Sequence, residues 1–297
     1  MRSFLAIAKS KIQREYYPLF TKGVHLVPGE DPGESEVLIV KCDIDGANYF
    51  SQLGLILPWF SYAEKKGWRV AIESTTNSEG IWDSVWLQPS NMDPEQAKKI
   101  RHYETDIALC ISQNPYVLSS GSEQQYWNRL CKKYLHLSEQ AEQFVNARIN
   151  QIPDLSRTIG VICRGTDYVN MRPKDHPIQP TAEMLIEKVN DVMRTTGNEY
   201  VFLATEDQAI AEKLSNAFGD KLILTSRNFV QYNTDTITSI NDYDLIHRLD
   251  SIYSYIANIY TVAQCNSIVA GVASGTMGAM CLSEGYNAKY LFNLGKY

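Results

Sequence analysis

The sequence contains no paired-cysteine motif. Its six cysteines, Cys42, Cys110, Cys131, Cys163, Cys265 and Cys281, stand apart from one another, several of them in apolar runs. That excludes a disulfide-stapled miniprotein and reads as buried thiols in a reducing compartment. The five histidines are scattered, with neither HxxxH nor a Cys/His cluster, which speaks against a zinc site. An excess of basic residues is lacking as well. Lys plus Arg is 28 against 34 Asp plus Glu, a net charge of -6, so no nucleic acid is expected as a partner. No run reaches the ~18 uncharged apolar residues of a membrane span. The longest candidate, Ser267 to Ser283, is interrupted by Gly, Ser and Thr. The start, Met1 to Lys9, has too short an apolar core for a signal peptide. The reading is a soluble, cytoplasmic protein. The basic residues Arg2, Lys9, Lys11 and Arg14 suit a solvated helix face or a peripheral contact with an anionic membrane surface.

What is present is the balance of an ordinary globular chain: 297 residues, 44% hydrophobic and 21% charged. That length holds one large domain or two of about 150 residues, each with its own core. Val37 to Val40 is a short apolar run read as a buried strand. A helical stretch from about Ala47 to Lys66 follows, with a break or kink expected at Pro58 and a stop at Gly67. Trp68 to Ile72 completes a βαβ unit. The middle is less regular, with a helix start at Asp93-Pro94-Glu95 and a helix from Ser138 to about Asn150. From Asp154 the pattern restarts as strand, helix, strand, helix through to Lys289–Phe292. Short strands alternating with amphipathic helices predict a mostly parallel sheet covered on both faces. The fold class is therefore α/β, with two domains, 1–153 and 154–297, facing across a cleft.

Ligands of parallel sheets bind at the carboxyl ends of the strands. Four such places carry polar residues that packing does not require. Arg164-Gly165-Thr166-Asp167 follows a strand, where a guanidinium fork suits a diphosphate, unless Arg164 instead pairs with Asp167. Thr205-Glu206-Asp207 follows the next strand, and Asp207 can cap a helix, touch a ligand, or both. Ser274-Gly275-Thr276 opens a helix whose small residues suit an anion, or close helix packing. Asp175-His176-Pro177-Ile178 precedes the Thr181 helix; a lone histidine is commonly a structural residue.

Together these segments resemble the donor-binding half of the α1,6-fucosyltransferase and protein O-fucosyltransferase superfamily, including the rhizobial nodulation enzymes. That pattern is a strand ending H-x-R-R-x-D, then H-P-I before a helix, a strand ending A-T-D-D, and an S-S-Q-type turn into a helix. Here the counterparts are Ile162-Cys163-Arg164-Gly165-Thr166-Asp167, His176-Pro177-Ile178, Ala204-Thr205-Glu206-Asp207 and Ala273-Ser274-Gly275-Thr276, in the same order. The resemblance implies a GT-B fold with two Rossmann-like domains, the acceptor side in the first and the nucleotide sugar in the second. It implies an inverting glycosyltransferase using GDP-fucose, with no metal and no further cofactor. By the same carry-over, Arg164 holds the diphosphate, Asp207 binds the nucleoside, Ser274, Gly275 and Thr276 contact phosphate oxygens, and Asp167 orients Arg164 or touches donor. His176 and Glu206 join the donor side. The sequence departs from the pattern at Ile162, in place of the histidine, and at Gly165, in place of the second arginine. The stretch Val169 to Arg172 lacks the acid that serves as base. Asp175 is the candidate base.

In the first half, Gly46 to Leu53, with Asn48, resembles the loop opening the first helix in fucosyltransferases. Asp43 and Asp45 end a strand and are placed on the acceptor side. Trp82 to Pro89 resembles a W-x-x-x-[FW]-x-Q-P stretch of bacterial surface-glycan transferases. Trp82 and Trp86 suit stacking on acceptor sugars or core packing. The acceptor expected from this context is an oligosaccharide of a growing polysaccharide or a lipid-linked glycan. Two other readings compete. Asp43-Ile44-Asp45 and Asp242-Tyr243-Asp244 are D-x-D sequences that suit a metal-dependent GT-A transferase. The losses at Ile162 and Arg172 suit a non-catalytic nucleotide-sugar or glycan-binding protein.

Overall fold

The structure, a computed structural model, describes residues 25–27, 37–42, 49–74, 81–90, 99–101, 120–165, 169, 172–225 and 245–297. The chain divides into two compact units, 1–142 and 143–297.

In the first unit four strands form one sheet: β1 (His25–Val27), β2 (Val37–Cys42), β3 (Arg69–Ser74) and β4 (Lys99–Arg101), in the order β1-β4-β2-β3. β2 is parallel to β3 and β4, while β1 is antiparallel to β4. Val37 to Val40 are all buried, which is why that run carries no polar alternation. α1 (Tyr49–Lys66) crosses from β2 to β3. It runs through Pro58 as one helix, where a break or kink was expected; its buried face of Phe50, Leu53, Leu57 and Phe60 holds it in place. Trp68 N–H donates to the Ala63 carbonyl at 2.9 Å beyond Gly67, closing the helix.

The Trp82–Pro89 stretch is a packing and edge-sealing device. In α2 (Ile81–Val85) and just after it, Trp82 and Trp86 are 3% and 1% exposed, their rings 4.8 Å apart. Neither offers a face to a sugar. Gln88 pairs by its amide with both backbone groups of Ile72, at 2.9 and 3.0 Å, and Ser90 Oγ accepts from Val70 N–H at 2.9 Å. Side chains thus occupy the open edge of β3, which would otherwise be left to pair with another strand.

α3 (Gly121–Tyr134), not anticipated from the sequence, packs on α1. Glu64 of α1 accepts from Arg129 at 2.7 Å and from Lys133 at 3.0 Å. The Arg129 hydrogen bond, then Lys133, holds the Glu64 carboxyl at about 2 instead of 4.5 against the opposing effect of burial. A depressed folded pKa gives stability that is complete above the unfolded value and lost as pH falls through about 2. Both cations are half exposed, so solvent screening holds the pair to under ~1 kcal/mol. Glu64→Gln is expected to be less stable than wild type by that amount at neutral pH. In urea melts the difference should shrink from pH 4.5 downward and vanish below about 2.

The second unit begins inside α4 (Glu139–Ile149), earlier than the restart at Asp154 on which the sequence boundary was placed. Arg148 donates to Asn258 at 3.0 Å, and the Phe144 and Tyr253 rings lie 5.1 Å apart. Both contacts tie α4 to α7 (Leu245–Gln264). Five strands follow: β5 (Thr158–Ile162), β6 (Tyr200–Ala204), β7 (Leu222–Ile223), β8 (Ser267–Gly271) and β9 (Ala288–Phe292). All their pairings are parallel, in the order β7-β6-β5-β8-β9. The crossovers are α5 (Ala182–Thr196), α6 (Gln208–Phe218), α7 and α8 (Ser274–Leu282). Thr181 caps α5 by accepting from Met184 N–H, and Gly197, at φ 73°, ends it. Its apolar stripe of Leu185, Val189 and Val192 packs with Ile159, Val161, Val201 and Leu203 of the sheet. Cys131, Cys163, Cys265 and Cys281 are buried free thiols. Cys110, Asp93-Pro94-Glu95 and Asp242-Tyr243-Asp244 lie outside the described residues.

Candidate functional site

The order of the second sheet decides where its ligand site lies. From β5 the chain moves outward to β6 and β7, then returns to β8 on the other side of β5. β5 and β8 are therefore neighbours whose connections leave in opposite directions. At such a switch point the carboxyl ends of the two strands open a crevice. Arg164-Gly165 leaves β5 there, and Val272 to Thr276 leaves β8.

Three residues lock the turn after β5. Gly165 N–H donates to Glu206 Oε1 at 2.9 Å. A Cβ on Gly165 would lie 2.1 Å from Asp207 Oδ2 and 2.4 Å from Asp207 Cβ, so the Asp207 carboxylate fills the space a side chain would take. Asp207 in turn caps α6, accepting from Ile210 N–H at 3.0 Å, while its own N–H donates to Thr205 Oγ1 at 3.2 Å. Glu206 and Asp207 are 6% and 1% exposed. Arg164, half-buried, is carried on this locked turn. Cys163 beside it is inert: burial, and then the charges of Glu206 and Asp207, push its thiol far above the ordinary value.

The β8 side is built differently. The Thr276 hydroxyl donates to the Gly271 carbonyl at 2.6 Å, tying α8 back onto its strand. The N-cap of α8 is Ala273, which has no side-chain acceptor to offer the first turn. Gly275 has a packing reason to be glycine. A Cβ there would meet Tyr255 Oη at 2.9 Å and Ile259 Cδ1 at 3.0 Å, both on α7. Gly275→Val should therefore lose stability by ~1–3 kcal/mol through overpacking. Unchanged thermal melting with lost nucleotide affinity would instead assign this glycine to ligand approach.

Two further residues converge here without a sequence signal of their own. Gln179 is 5% exposed and donates from Nε2 to the Val272 carbonyl at 2.8 Å. Among the described residues its buried Oε1 has no hydrogen-bond partner, and it sits where a Cβ on Gly271 would come, at 2.2 Å. Pro180 accepts from the Cys163 thiol at 3.6 Å. The preceding turn, Asp175 to Ile178, is stitched to the chain end: Ile178 N–H donates to Gly295, and Tyr297 N–H to His176, at 3.0 and 3.1 Å. Asp175 and His176 are exposed on this turn, Asp175 at φ 65°, a region aspartate tolerates. The His176 ring lies against the Lys174 carbonyl, 3.0 Å from Nδ1.

The structure thus brings Arg164, Glu206, Asp207, Ser274, Gly275 and Thr276 to the carboxyl ends of three adjacent strands. Asp175 and His176 lie on the turn leading to Gln179. Asp167, Asp43, Asp45 and Asn48 lie outside the described residues. Among the described residues no group of three or more His, Cys, Asp or Glu side chains is arranged to hold a metal ion.

No family model and no curated protein sequence matches the chain. Solved structures do. A NodZ α-1,6-fucosyltransferase soaked with GDP-fucose matches with a TM-score of 0.50 at 13% identity, over 84% of this chain and 93% of that one. A mutant of Arabidopsis thaliana FUT1 in complex with GDP matches with a TM-score of 0.50 at 8% identity, over 94% of this chain and 74% of that one. Identities this low speak for architecture alone. The chain has the α/β fold of these GT-B fucosyltransferases.

Proposed function

We propose that the protein is an inverting glycosyltransferase that moves fucose from GDP-fucose to a hydroxyl of an oligosaccharide or lipid-linked glycan. The observation that carries this reading is the pairing, at one switch point, of Arg164 on a locked turn with the α8 amino end. Both suit a diphosphate. That the matched structures hold GDP or GDP-fucose supports the choice of nucleotide.

The chemistry is a displacement at the anomeric carbon. The acceptor oxygen forms a bond to that carbon as the bond to the phosphate oxygen breaks, and the electron pair leaves with GDP. Negative charge gathers on the departing diphosphate in the transition state. Fixed donors aimed at it lower the barrier without reorganising during the reaction. Arg164 and the first-turn amides of α8 supply them, in the place a divalent cation's charge would take. Asp175 is the proposed base for the acceptor hydroxyl, its side chain exposed to solvent. Asp207, capping α6 and filling the Gly165 space, serves the nucleoside side through the turn it holds.

The test is calorimetric titration with GDP and UDP, with and without EDTA. GDP is expected to bind, tighter than UDP, and equally well in EDTA. Equal affinity for the two nucleotides overturns the donor assignment; loss of binding in EDTA favours the metal-dependent reading through a D-x-D sequence. The second reading, a non-catalytic binder, draws on Ile162, an apolar and buried side chain at the last position of β5. Transfer or hydrolysis from any GDP-sugar rejects it.

A further inference from the structure

We infer that Gln179 is a positioning residue for the amino end of α8, turning the peptide that leads into the helix so that its N–H joins the donors to a diphosphate. The inference deepens the donor reading above and rests on it for the class of ligand. The chain passes from β8 to α8 through Gly271, Val272 and Ala273. Each of these three carbonyls has a donor. The Thr276 hydroxyl donates to Gly271 at 2.6 Å and the Met277 N–H to Ala273 at 3.1 Å, both from α8 itself. Val272 is held from elsewhere: Gln179 Nε2, 93 positions away in sequence, donates to its carbonyl at 2.8 Å. The same amide nitrogen donates to the Pro177 carbonyl at 3.3 Å. One side chain therefore joins the turn that carries Asp175 and His176 to the turn that opens α8.

The peptide between Val272 and Ala273 is trans. Its C=O and N–H therefore point to opposite sides. A carbonyl drawn to Gln179 turns the Ala273 N–H away from that side chain, one position ahead of the first-turn amides of Ser274, Gly275 and Thr276. The reversed peptide would present a carbonyl oxygen where an N–H is wanted, and that oxygen repels the anion the helix end attracts. The seat of Gln179 fixes the choice. The residue is 5% exposed, and its Oε1 lies where a Cβ on Gly271 would come, at 2.2 Å. Among the described residues that oxygen has no hydrogen-bond partner. An apolar side chain of the same length would fill the seat without burying an unpaired oxygen. What the glutamine adds is its donors, and both contacts they make are to the carbonyls of the two turns. The Asp207 carboxylate holds the Gly165 turn after β5 in a similar way, from the space a side chain there would take.

The test is calorimetric titration of the full chain with inorganic pyrophosphate, GDP and UDP, on wild type and on Gln179→Met, which keeps the length of the side chain and removes its donors. Pyrophosphate and GDP are each expected to bind the variant about tenfold more weakly, the size of one lost hydrogen bond to a charged group. Gln179→Glu carries the signature. Ionised, it has no hydrogen to give Val272 and should bind as weakly as Gln179→Met; protonated, it donates again. Its affinity relative to wild type at the same pH should therefore recover as pH falls. Recovery should begin above the ordinary glutamate value of about 4.3, because burial favours the neutral form. The same ratio for Gln179→Met should stay flat. Circular dichroism reports folding. If Gln179→Met does not fold, Gly271→Ala replaces it, since its methyl would drive the carboxamide from its seat and should cost the same affinity. Variants that melt lower but bind pyrophosphate as wild type does overturn the inference and leave Gln179 a packing residue. So does a Gln179→Glu affinity that shows no recovery. Equal affinity for GDP and UDP, with the loss in Gln179→Met intact, overturns the donor assignment alone and supports the inference. Wild type that binds neither pyrophosphate nor either nucleotide overturns both.

Discussion

Arg164→Ala is expected to lose about 10²–10³-fold in turnover, ~2.7–4 kcal/mol of transition-state stabilisation, the size of effect seen when one donor to a developing anion is removed. The residue leaves β5 at the switch point, on a turn fixed by the Gly165–Glu206 hydrogen bond. The backbone that carries it is therefore fixed before the diphosphate arrives, and such pre-placement is what makes a group catalytic rather than merely attractive. Arg164→Lys should fall nearly as far. Lysine keeps the charge but presents a single mobile ammonium where two parallel donors are needed. Both variants should melt with the wild type, because Arg164 is half-buried beyond the carboxyl end of the central strand and is no part of the hydrophobic core. Single-turnover measurement of GDP release from GDP-fucose reads the effect. A near-normal rate in Arg164→Ala would move the site elsewhere.

The second large effect is expected at Gly165. A single added methyl would lie 2.1, 2.4 and 2.6 Å from Asp207 Oδ2, Cβ and Cγ, distances no packed structure tolerates. Neither partner yields cheaply. Asp207 is pinned as the cap of α6, and Gly165 is pinned through its own N–H to Glu206. Gly165→Ala should cost ~1–3 kcal/mol by overpacking, with up to ~1 kcal/mol more if Asp207 leaves its cap. GDP affinity should fall with it, because the turn that must move carries Arg164. The mechanism has a signature. Asp207→Gly empties the contested space at a cost of only a few tenths of a kcal/mol in capping. The double variant should therefore be more stable than the sum of the single effects predicts. Urea denaturation of the four proteins closes the cycle. Gly165→Ala as stable as wild type would show that the turn has room to shift.

In the sequence Gly165 is a departure, a glycine where the resembling enzymes have an arginine. Only the packing shows why a glycine stands there: the carboxylate of a residue 42 positions away occupies the site of its side chain. Gln179 escaped the sequence for a related reason. Nothing in its neighbours marks it, and its amide meets Val272 only once the chain has folded across the end of β8. The Trp82–Pro89 stretch was legible as a pattern but not as a role. Tryptophan suits a sugar and a core equally well, and burial of both rings decided between them.

The sequence by itself determined the elements of the second unit, because their signals are local. Apolar runs mark the strands, the stripe of Leu185, Val189 and Val192 marks α5, and Thr181, Asp207 and Gly197 mark where helices begin and end. Each depends on residues a few positions apart, within reach of one turn of helix or one strand. It also marked the strand ends as chemically unusual, since arginine and paired acids there serve no core. Tertiary structure alone decided which of those ends meet. The placement of β8 against β5, the filling of the Gly165 space by Asp207, and the docking of α4 on α7 are contacts between distant segments. Strand pairing repeats the same backbone hydrogen bonds whichever parallel strands meet, so no local pattern names the partner. Only the summed burial of helices on both faces of the sheet selects one order, and with it the place where a ligand can bind.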